Sequence, residues 1–435
     1  MSLSPPRPPR ARLHYAWFIL ASSVAIELFG LGFGIFAITT VYPYIIKAFP
    51  DWSRTVVFLP TTAVIFTVML LSPVMGWLLD RYSIRRFFVV GILIQSIALW
   101  LFSRTQTPFG YVGSSVLLGI GMSAVTILPN QVLISRWFHQ RVGLVNGVIL
   151  AATALGASIA PPLITRIIEA SDWRTAFVYM AFAAASLPLV VVLFVVRDRP
   201  EVMGLEPYGV ADAEQARADA EADVGVGGAV RLPLFWIFGA AVFFAGMPCY
   251  SYNKHILVQL GELGYSPIQA ADYKGLFFLV AACARLSFGW LCDRYERRLM
   301  FLLHVLLIAG GYPLLLFVDR YPALLLPSLI TIGIGYGGLL PAVPILTTHY
   351  FGRTHLGKIL GTYKLSYDLA AAGAPQFTAY LWDIYHTYWV PDLWLTIFAW
   401  IGVGFVAMLP RESQRALQKP EVRSKEAEGI LSSEF

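Results

Sequence analysis

The chain carries little charge for its length. Of its 435 residues, 13% are Asp, Glu, Lys or Arg, whereas a soluble protein usually has about 25%. Because so few charged side chains cannot cover a water-facing surface, the composition excludes an ordinary soluble protein. Hydrophobic residues make up 57%, in runs of about 20, which is enough to cross a hydrocarbon core of roughly 30 Å. The composition therefore indicates an integral membrane protein.

Cysteine is also scarce, and the residue patterns of enzymes are missing. The three cysteines, Cys249, Cys283 and Cys292, have neither CxxC nor metal-ligand spacing, so we interpret them as packing residues. No nucleophile–base pair, histidine cluster or phosphate-binding loop stands out, and no basic, aromatic-interleaved stretch is typical of nucleic-acid binding. We therefore expect no enzyme activity, no metal, no cofactor and no nucleic-acid partner.

Long apolar segments are abundant, and they predict an all-α membrane protein with two pseudo-symmetric six-helix bundles. The twelve predicted spans are approximately 15–40, 55–79, 87–103, 110–135, 143–168, 174–196, 233–257, 270–291, 299–318, 322–348, 357–382 and 392–409. We predict bundles at 15–196 and 233–409, an N-terminal tail at 1–14, a linker at 197–232 and a C-terminal tail at 410–435.

The distribution of basic residues predicts the orientation. If the N-terminus lies inside, 22 of the 32 Lys and Arg residues fall on inner segments, which follows the positive-inside rule. Both termini and the linker are therefore expected in the cytoplasm. The oligomeric state stays open.

A charged cassette is repeated once in each half. Gly76-Trp-Leu-Leu-Asp80-Arg81 recurs 213 positions later as Gly289-Trp-Leu-Cys-Asp293-Arg294, and each copy joins two apolar segments. Two duplicated membrane bundles are the architecture of a secondary transporter. We expect charge pairs at these turns to make and break as the halves move, which predicts the gating residues Asp80, Arg81, Arg85, Asp293 and Arg294.

The cassette, in a twelve-span chain, resembles the signature loop of the major facilitator superfamily. The stretch from Arg136 to Gly156 resembles the monocarboxylate-transporter signature entering span 5, and the matching residues are Phe138, Arg141, Leu144, Gly147 and Gly156. The loop motifs Asp51-Trp-Ser-Arg54 and Asp172-Trp-Arg174 resemble bacterial members of that group. The resemblance implies alternating-access transport of a small organic carboxylate, coupled to protons, in a bacterial inner (plasma) membrane.

Departures from the family pattern keep a second function open. The carboxylate-binding arginine of monocarboxylate transporters matches Arg285, but Ala281 replaces their aspartate one turn earlier. Arg285 in span 8 together with Lys364 in span 11 resembles the oxalate/formate antiporter branch. The alternatives to proton symport are thus an organic-anion exchanger of that type or, from another class, a transporter-derived ligand sensor.

Charges inside the spans are the candidate functional groups, because each costs about 2.5–3.5 kcal/mol at mid-membrane. A guanidinium holds a carboxylate in two parallel hydrogen bonds, so Arg285 is predicted to bind substrate; the alternative is a structural pair with a neighbouring acid. Lys364 and Asp368 lie four apart on one helix face. They form either a self-neutralised pair or a second anion contact with a proton site.

Glu27 is the ionisable group deep in span 1. It is predicted to carry the coupled proton, or else to be a permanently protonated acid hydrogen-bonded to a neighbour. Asn130, Tyr252 and Asn253 are predicted to line the cavity, although interhelical hydrogen bonding is the commoner use of such residues. Small residues four apart, ending at Gly147 and Gly361, predict close helix approach in spans 5 and 11.

Overall fold

A computed structural model describes residues 14–138, 142–209, 226–292, 294–351 and 356–410. The regular elements of this part are helices, apart from an isolated bridge between Phe138 and Tyr208. The predictions for the N-terminal tail before residue 14, for Arg141, for the centre of the linker, for Asp293 and for the tail after residue 410 lie outside the described residues.

Twelve long helical segments follow one another in the part of the chain that the structure describes. In order, spans 1 to 12 are Ala16–Ala48, Arg54–Arg81, Ile84–Ser103, Pro108–Trp137, Val142–Ala170, Trp173–Phe194, Pro233–Glu262, Pro267–Cys292, Arg297–Leu315, Pro322–Phe351, Leu356–Tyr385 and Trp389–Met408. Eleven are long and apolar enough to cross a membrane by length and composition. The other, span 11, carries Lys364 and Asp368. The predicted twelve-helix fold is confirmed.

Two spans are interrupted in ways that the sequence analysis did not predict. Span 1 contains a π-helical turn at Gly32–Phe36. Span 4 consists of two helices, Pro108–Ser123 and Ile127–Trp137, with a short break between them. Interruptions of this kind are tolerated in membrane helices when neighbouring groups satisfy the freed backbone, and both lie beside candidate site residues.

The sequence repeat has a structural counterpart at the cassettes. The Arg81 guanidinium carbon lies 4.3 Å from the ring centroid of Trp77, and that of Arg294 lies 4.1 Å from the ring of Trp290. These two pairs are 213 positions apart, so the same cation–π contact occurs in each half.

The basic residues that follow the cassettes also bind equivalent groups. Arg85 donates through its side chain to the carbonyl oxygens of Val192 and Leu193, at the end of span 6. Arg298, 213 positions later, donates to the carbonyl oxygen of Ala407 at 2.6 Å, at the end of span 12. Each arginine thereby satisfies carbonyls that a helix end leaves without an intrahelical partner.

The helices alternate between two faces of the molecule. We call the face that holds residues 14 and 410 the proximal face, and the opposite one the distal face. At the distal face, short polar side chains cap helix N-termini. Ser53 accepts a hydrogen bond from the Val56 amide at 3.3 Å, and Asp172 accepts from the Thr175 amide at 2.9 Å. The hydrogen bonds from Thr175 also lower the pKa of Asp172.

Glycines bring backbones together at two crossings. A Cβ added to Gly32 would lie 2.8 Å from the Gly156 Cα, so spans 1 and 5 cross there. A Cβ on Gly275 in span 8 would lie 2.8 Å from the carbonyl oxygen of Ser158 in span 5. The prediction of close approach at Gly147 and Gly361 was wrong for this conformation: at both positions an added Cβ meets nothing within 4 Å.

Candidate functional site

The site is built where the two bundles meet, and Arg285 lies at its centre. Arg285 comes from the proximal half of span 8 and reaches span 5 of the other bundle. Its Nη1 donates to the Leu150 carbonyl oxygen at 2.8 Å and to Thr153 Oγ1 at 2.9 Å. The guanidinium carbon also lies 5.3 Å from the ring centroid of Tyr336. Arg285 thus bridges the halves with neutral partners only.

The donors of Arg285 are incompletely used. Arg285 is buried, and its Nε makes no hydrogen bond. Among the residues that the structure describes, no carboxylate lies within ion-pair distance of it. The structural pair with a neighbouring acid, considered as the alternative from the sequence, is therefore not formed here. A guanidinium with unused donors in a low-dielectric setting is suited to bind a carboxylate.

Lys364 and Asp368 contact each other directly on span 11 through Nζ and Oδ2. The Lys364 side chain is 38% exposed, whereas that of Asp368 is 10% exposed. The i, i+4 pair predicted from the spacing is thus formed. The lysine remains accessible, so both interpretations, a self-neutralised pair and a releasable anion contact, stay predictions.

Glu27 and Asn130 are brought together in the N-terminal bundle. The Asn130 side-chain amide donates to Glu27 Oε1 at 3.0 Å and to the Val125 carbonyl oxygen at 2.9 Å. Val125 lies in the break of span 4, so Asn130 satisfies a carbonyl that the break frees and holds the acid with the same group. Glu27 Oε2 and Asn130 Oδ1 are buried without a partner. The Asn130 side chain therefore binds Glu27 in this structure. The prediction that Asn130 also contacts substrate is untested.

Tyr252 and Asn253 lie in span 7, away from Arg285. The Tyr252 ring lies 4.9 Å from that of Phe277, and the Phe277 ring stacks 5.5 Å from that of Tyr336. Tyr252 is thus linked to Arg285 only through a series of ring contacts that ends at Tyr336. Asn253 is buried with an unpartnered Oδ1. Their roles in substrate binding stay predictions.

The predicted gating residues make contacts within their own halves. Arg81 and Arg294 lie over their neighbouring tryptophans, and Arg85 also donates its backbone amide to Asp198 Oδ1 at 2.9 Å. The Asp80 side chain and Asp293 lie outside the described part of the chain. The charge pairs expected between these turns are therefore untested.

Polar contacts that the sequence analysis missed join the halves at the distal face. Arg54 Nη2 binds Glu262 Oε1 at 2.7 Å, and the guanidinium carbon lies 3.9 Å from the Trp382 ring. The Arg54 amide and Thr55 donate to the Asp383 carboxylate, at 2.9 Å for the Arg54 bond. In the sequence, only the Asp51-Trp-Ser-Arg54 motif pointed to this region, and the motif alone does not show which residues Arg54 contacts. We call this cluster the distal latch.

Further contacts close the distal half of the interface. Arg166 binds Asp272 at 3.0 Å, and Ser158 Oγ donates to the Gly275 carbonyl oxygen at 2.8 Å. The Phe58 ring stacks on the His255 ring with centroids 3.7 Å apart. Together with the distal latch, these contacts show that the protein is closed at its distal face.

The chain matches the family model described as Major Facilitator Superfamily over residues 24–375, with a second match over 256–432. Curated relatives agree with this. The chain is 24% identical to "Monocarboxylate transporter 12" of Mus musculus over 381 residues, which cover 81% of this chain and 77% of the relative. It is 21% identical to "Uncharacterized MFS-type transporter YhjX" of Escherichia coli K12 over 306 residues, covering 69% and 72%.

Solved structures show the same fold. A bacterial homologue of the human lysosomal transporter Spinster, in an inward-facing and occupied conformation, superposes with a TM-score of 0.74 at 15% identity, covering 92% of this chain and 97% of that one. A mutant of the nucleoside transporter NupG gives a TM-score of 0.72 at 12% identity, covering 90% and 100%. These relatives are transporters of small molecules and not enzymes. This chain is therefore a multi-pass membrane transporter that belongs to the major facilitator superfamily.

Proposed function

We propose that the protein is a secondary-active transporter of a small organic carboxylate, working as a proton-coupled monocarboxylate symporter by alternating access. The observation that carries this proposal is Arg285: a buried guanidinium at the interface of the halves, with an unused Nε and no acidic partner among the described residues. The relatives named monocarboxylate transporter 12 support the same class of substrate. We place both faces accordingly, with the proximal face in the cytoplasm of a bacterial inner membrane.

The role of Arg285 follows from its present partners. Its bonds to Leu150 and Thr153 are made to neutral oxygens of the other bundle. A substrate carboxylate, being charged, forms stronger hydrogen bonds with a guanidinium than a carbonyl or hydroxyl does. Binding of the anion would therefore exchange a link between the halves for a link to substrate, and thereby couple binding to movement.

The coupled proton is assigned to Glu27 or Asp368. Glu27 keeps one oxygen bonded to Asn130 and leaves Oε2 without a partner, so it can take a proton on Oε2 without losing that bond. Asp368 instead holds Lys364, and protonation would release the lysine. In both cases an anion and a proton enter together, and the near-neutral site can then be closed off from water.

An organic-anion exchanger of the oxalate/formate type is the second candidate. One observation favours it: the Lys364 side chain is 38% exposed despite its ion pair, so a second cation is available besides Arg285. A dianion held by Arg285 and Lys364 would need no proton. Exchange would then require a counter-anion on the opposite side.

Uptake of labelled lactate into proteoliposomes under an imposed inward pH gradient tests the proposal. Symport predicts uptake driven by the gradient and inhibited by other short monocarboxylates. Uptake that ignores the gradient but requires vesicles preloaded with oxalate or formate would favour exchange. Absence of both, with the protein folded by circular dichroism, would contradict carboxylate transport.

A further inference from the structure

Two lysines are buried in the distal half of the interface between the bundles. Lys254 in span 7 is 2% exposed, and Lys274 in span 8 is 0% exposed. Both point at span 1 of the other bundle. Lys254 Nζ lies 5.6 Å from the Phe36 ring centroid, and Lys274 Nζ contacts Thr39 Oγ1. Thr39 in turn donates to the Phe36 carbonyl oxygen at 2.8 Å, so both lysines press on the same turn of span 1.

Neither lysine has an acidic partner in the described part of the chain. The nearby distal carboxylates Glu262 and Asp272 are paired with Arg54 and Arg166. Removing an ammonium group from water costs several kcal/mol, and an acid in good geometry usually offsets this. A hydroxyl and a ring face are weak substitutes. Apolar side chains would pack this interface better, so the packing of the closed form does not account for two buried lysines.

The two lysines lie one helical turn inward from residues that line a cleft in the closed distal face. A cleft of about 250 Å³ between the halves is lined by Leu257, Val258 and Ala270, among others. Lys254 precedes Leu257 and Val258 by one helical turn, and Lys274 follows Ala270 by one turn. Further inward, Arg285 lies 11 residues beyond Lys274, about 16 Å along the same helix. From the distal face inward, the cleft comes first, the two lysines next and Arg285 last.

We propose that Lys254 and Lys274 form a second anion-binding subsite, which receives the carboxylate of a substrate entering from the distal side. In the present conformation Phe36 and Thr39 cover it. When the distal face opens, span 1 withdraws, and the carboxylate takes the place of the Thr39 hydroxyl before it passes to Arg285. This assignment rests on the proposed transport of organic anions and adds a site on the distal half of the path.

Span 1 has an irregular turn next to the two side chains that cover the lysines. The π-helical turn Gly32–Phe36 ends at the residue that covers Lys254. A π-helical turn is rare, and where it occurs inside an α-helix it is frequently at a functional site. Because Thr39 follows it by three residues, a change of helix geometry at the turn moves both covering side chains together.

Chemical labelling tests the site without measuring transport. Vesicles with the distal face outward are treated with an impermeant amine-acetylating reagent, and acetylation of Lys254 and Lys274 is measured by mass spectrometry. We expect both lysines to be modified, and lactate or oxalate to suppress modification about threefold or more at saturation, whereas glycerol has no effect. The exposed Lys47 at the rim of the cleft is the control and should be modified equally under all conditions.

Failure to modify Lys254 and Lys274 while Lys47 reacts would overturn the subsite, and so would equal suppression by glycerol and the two anions. Labelling and transport can fail separately. If neither lactate nor oxalate is transported yet both protect the lysines, the proposed function is wrong and the subsite stands. If lactate is transported but does not protect the two lysines, the subsite is wrong and the proposed function stands.

Kinetics of charge variants provide the second test. Lys254→Gln and Lys274→Gln should each raise KM for lactate added at the distal side by about tenfold with little change in the maximal rate, because initial capture is weakened. Lys254→Arg and Lys274→Arg keep a basic group and should stay within about twofold of wild type. So should Arg320→Gln, which changes an exposed arginine at the distal face outside the cleft. A packing role predicts the opposite pattern: glutamine variants with unchanged KM, and arginine variants that are impaired by their size.

Discussion

The two halves of the molecule share a scaffold but differ in the charges they place inside the membrane. The cation–π pairs of the cassettes and the arginines that bind the ends of spans 6 and 12 occur in both halves at the same offset. Among the described residues, the Lys and Arg side chains that lie about two helical turns or more from both ends of their spans are Lys254, Lys274, Arg285 and Lys364, and all four belong to the C-terminal half. The N-terminal half contributes one buried acid, Glu27, held by Asn130.

Arg285 makes the difference especially clear. Its acceptor in the first half is the carbonyl of Leu150, and Leu150 is the position equivalent to Lys364 at an offset of 214. The repeat therefore supplies matching backbone positions, while the side chains diverge. Shared features maintain the fold, and features present in one half only are where substrate and proton chemistry is expected.

Removal of the Arg285 charge should have the largest effect on transport of all the changes considered. We expect Arg285→Ala to reduce lactate transport by about 100-fold or more, because a carboxylate would lose its charged partner inside the bilayer. Arg320→Ala, which removes an exposed arginine at the distal face, is the matched control and should transport normally. Retained transport by the Arg285 variant would show that the C-terminal half does not bind the anion through this residue.

Glu27→Gln tests whether the N-terminal acid carries the proton. The variant keeps the acceptor for Asn130 but cannot be protonated reversibly. We expect loss of pH-driven accumulation, about tenfold or more, with lactate–lactate exchange retained, because exchange needs no net proton movement. Asp368→Asn serves as the comparison. If it loses accumulation while Glu27→Gln keeps it, both substrate and proton chemistry belong to the C-terminal half.

Gly275→Val should disturb the packing between the halves without touching a charge. Its Cβ would lie 2.8 Å from the Ser158 carbonyl oxygen, so the distal closure cannot form as it does here. We expect acetylation of Lys254 from the distal side to rise about tenfold and transport to fall by a similar factor. The same substitution at Gly361, where an added Cβ meets nothing within 4 Å, should have much less effect. Equal effects would refute the role of the span 5–span 8 crossing.

The smallest effect is expected at the distal latch. Arg54→Ala removes a partly exposed ion pair and a stacking contact, which together contribute about 1 kcal/mol. Distal accessibility of Lys254 should therefore rise only about fivefold. Glu262→Gln, which leaves the stacking in place, should give a smaller rise. A transporter locked open by either change would show that the latch dominates closure.

The sequence predicts the fold well because long apolar runs and charged turns mark membrane helices. Each of the twelve predicted ranges overlaps its helix, and the i, i+4 contact of Lys364 with Asp368 follows from helix geometry alone. The interruption in span 1 was missed. It lies where Gly32 meets Gly156 of another span, and no local sequence pattern reports such a long-range contact.

The prediction of the site was least accurate in how deep each residue lies within its helix. Span 7 was predicted to end at 257 but continues to Glu262, so Lys254 lies more than two turns inside the helix and not at its end. Its neighbours in space, Phe36 and Thr39, come from more than 200 positions earlier in the chain. No local pattern reports such a contact, and for the same reason the partners of Arg54 could not be predicted.

Equilibrium binding of labelled lactate to the purified protein, wild type beside Arg285→Ala, tests the central claim most directly. It measures the anion site without requiring a gradient, a direction or a proton. We predict saturable binding by the wild type that other short carboxylates displace, and its loss in the variant. Equal binding by the two proteins would contradict the assignment of the substrate site to Arg285.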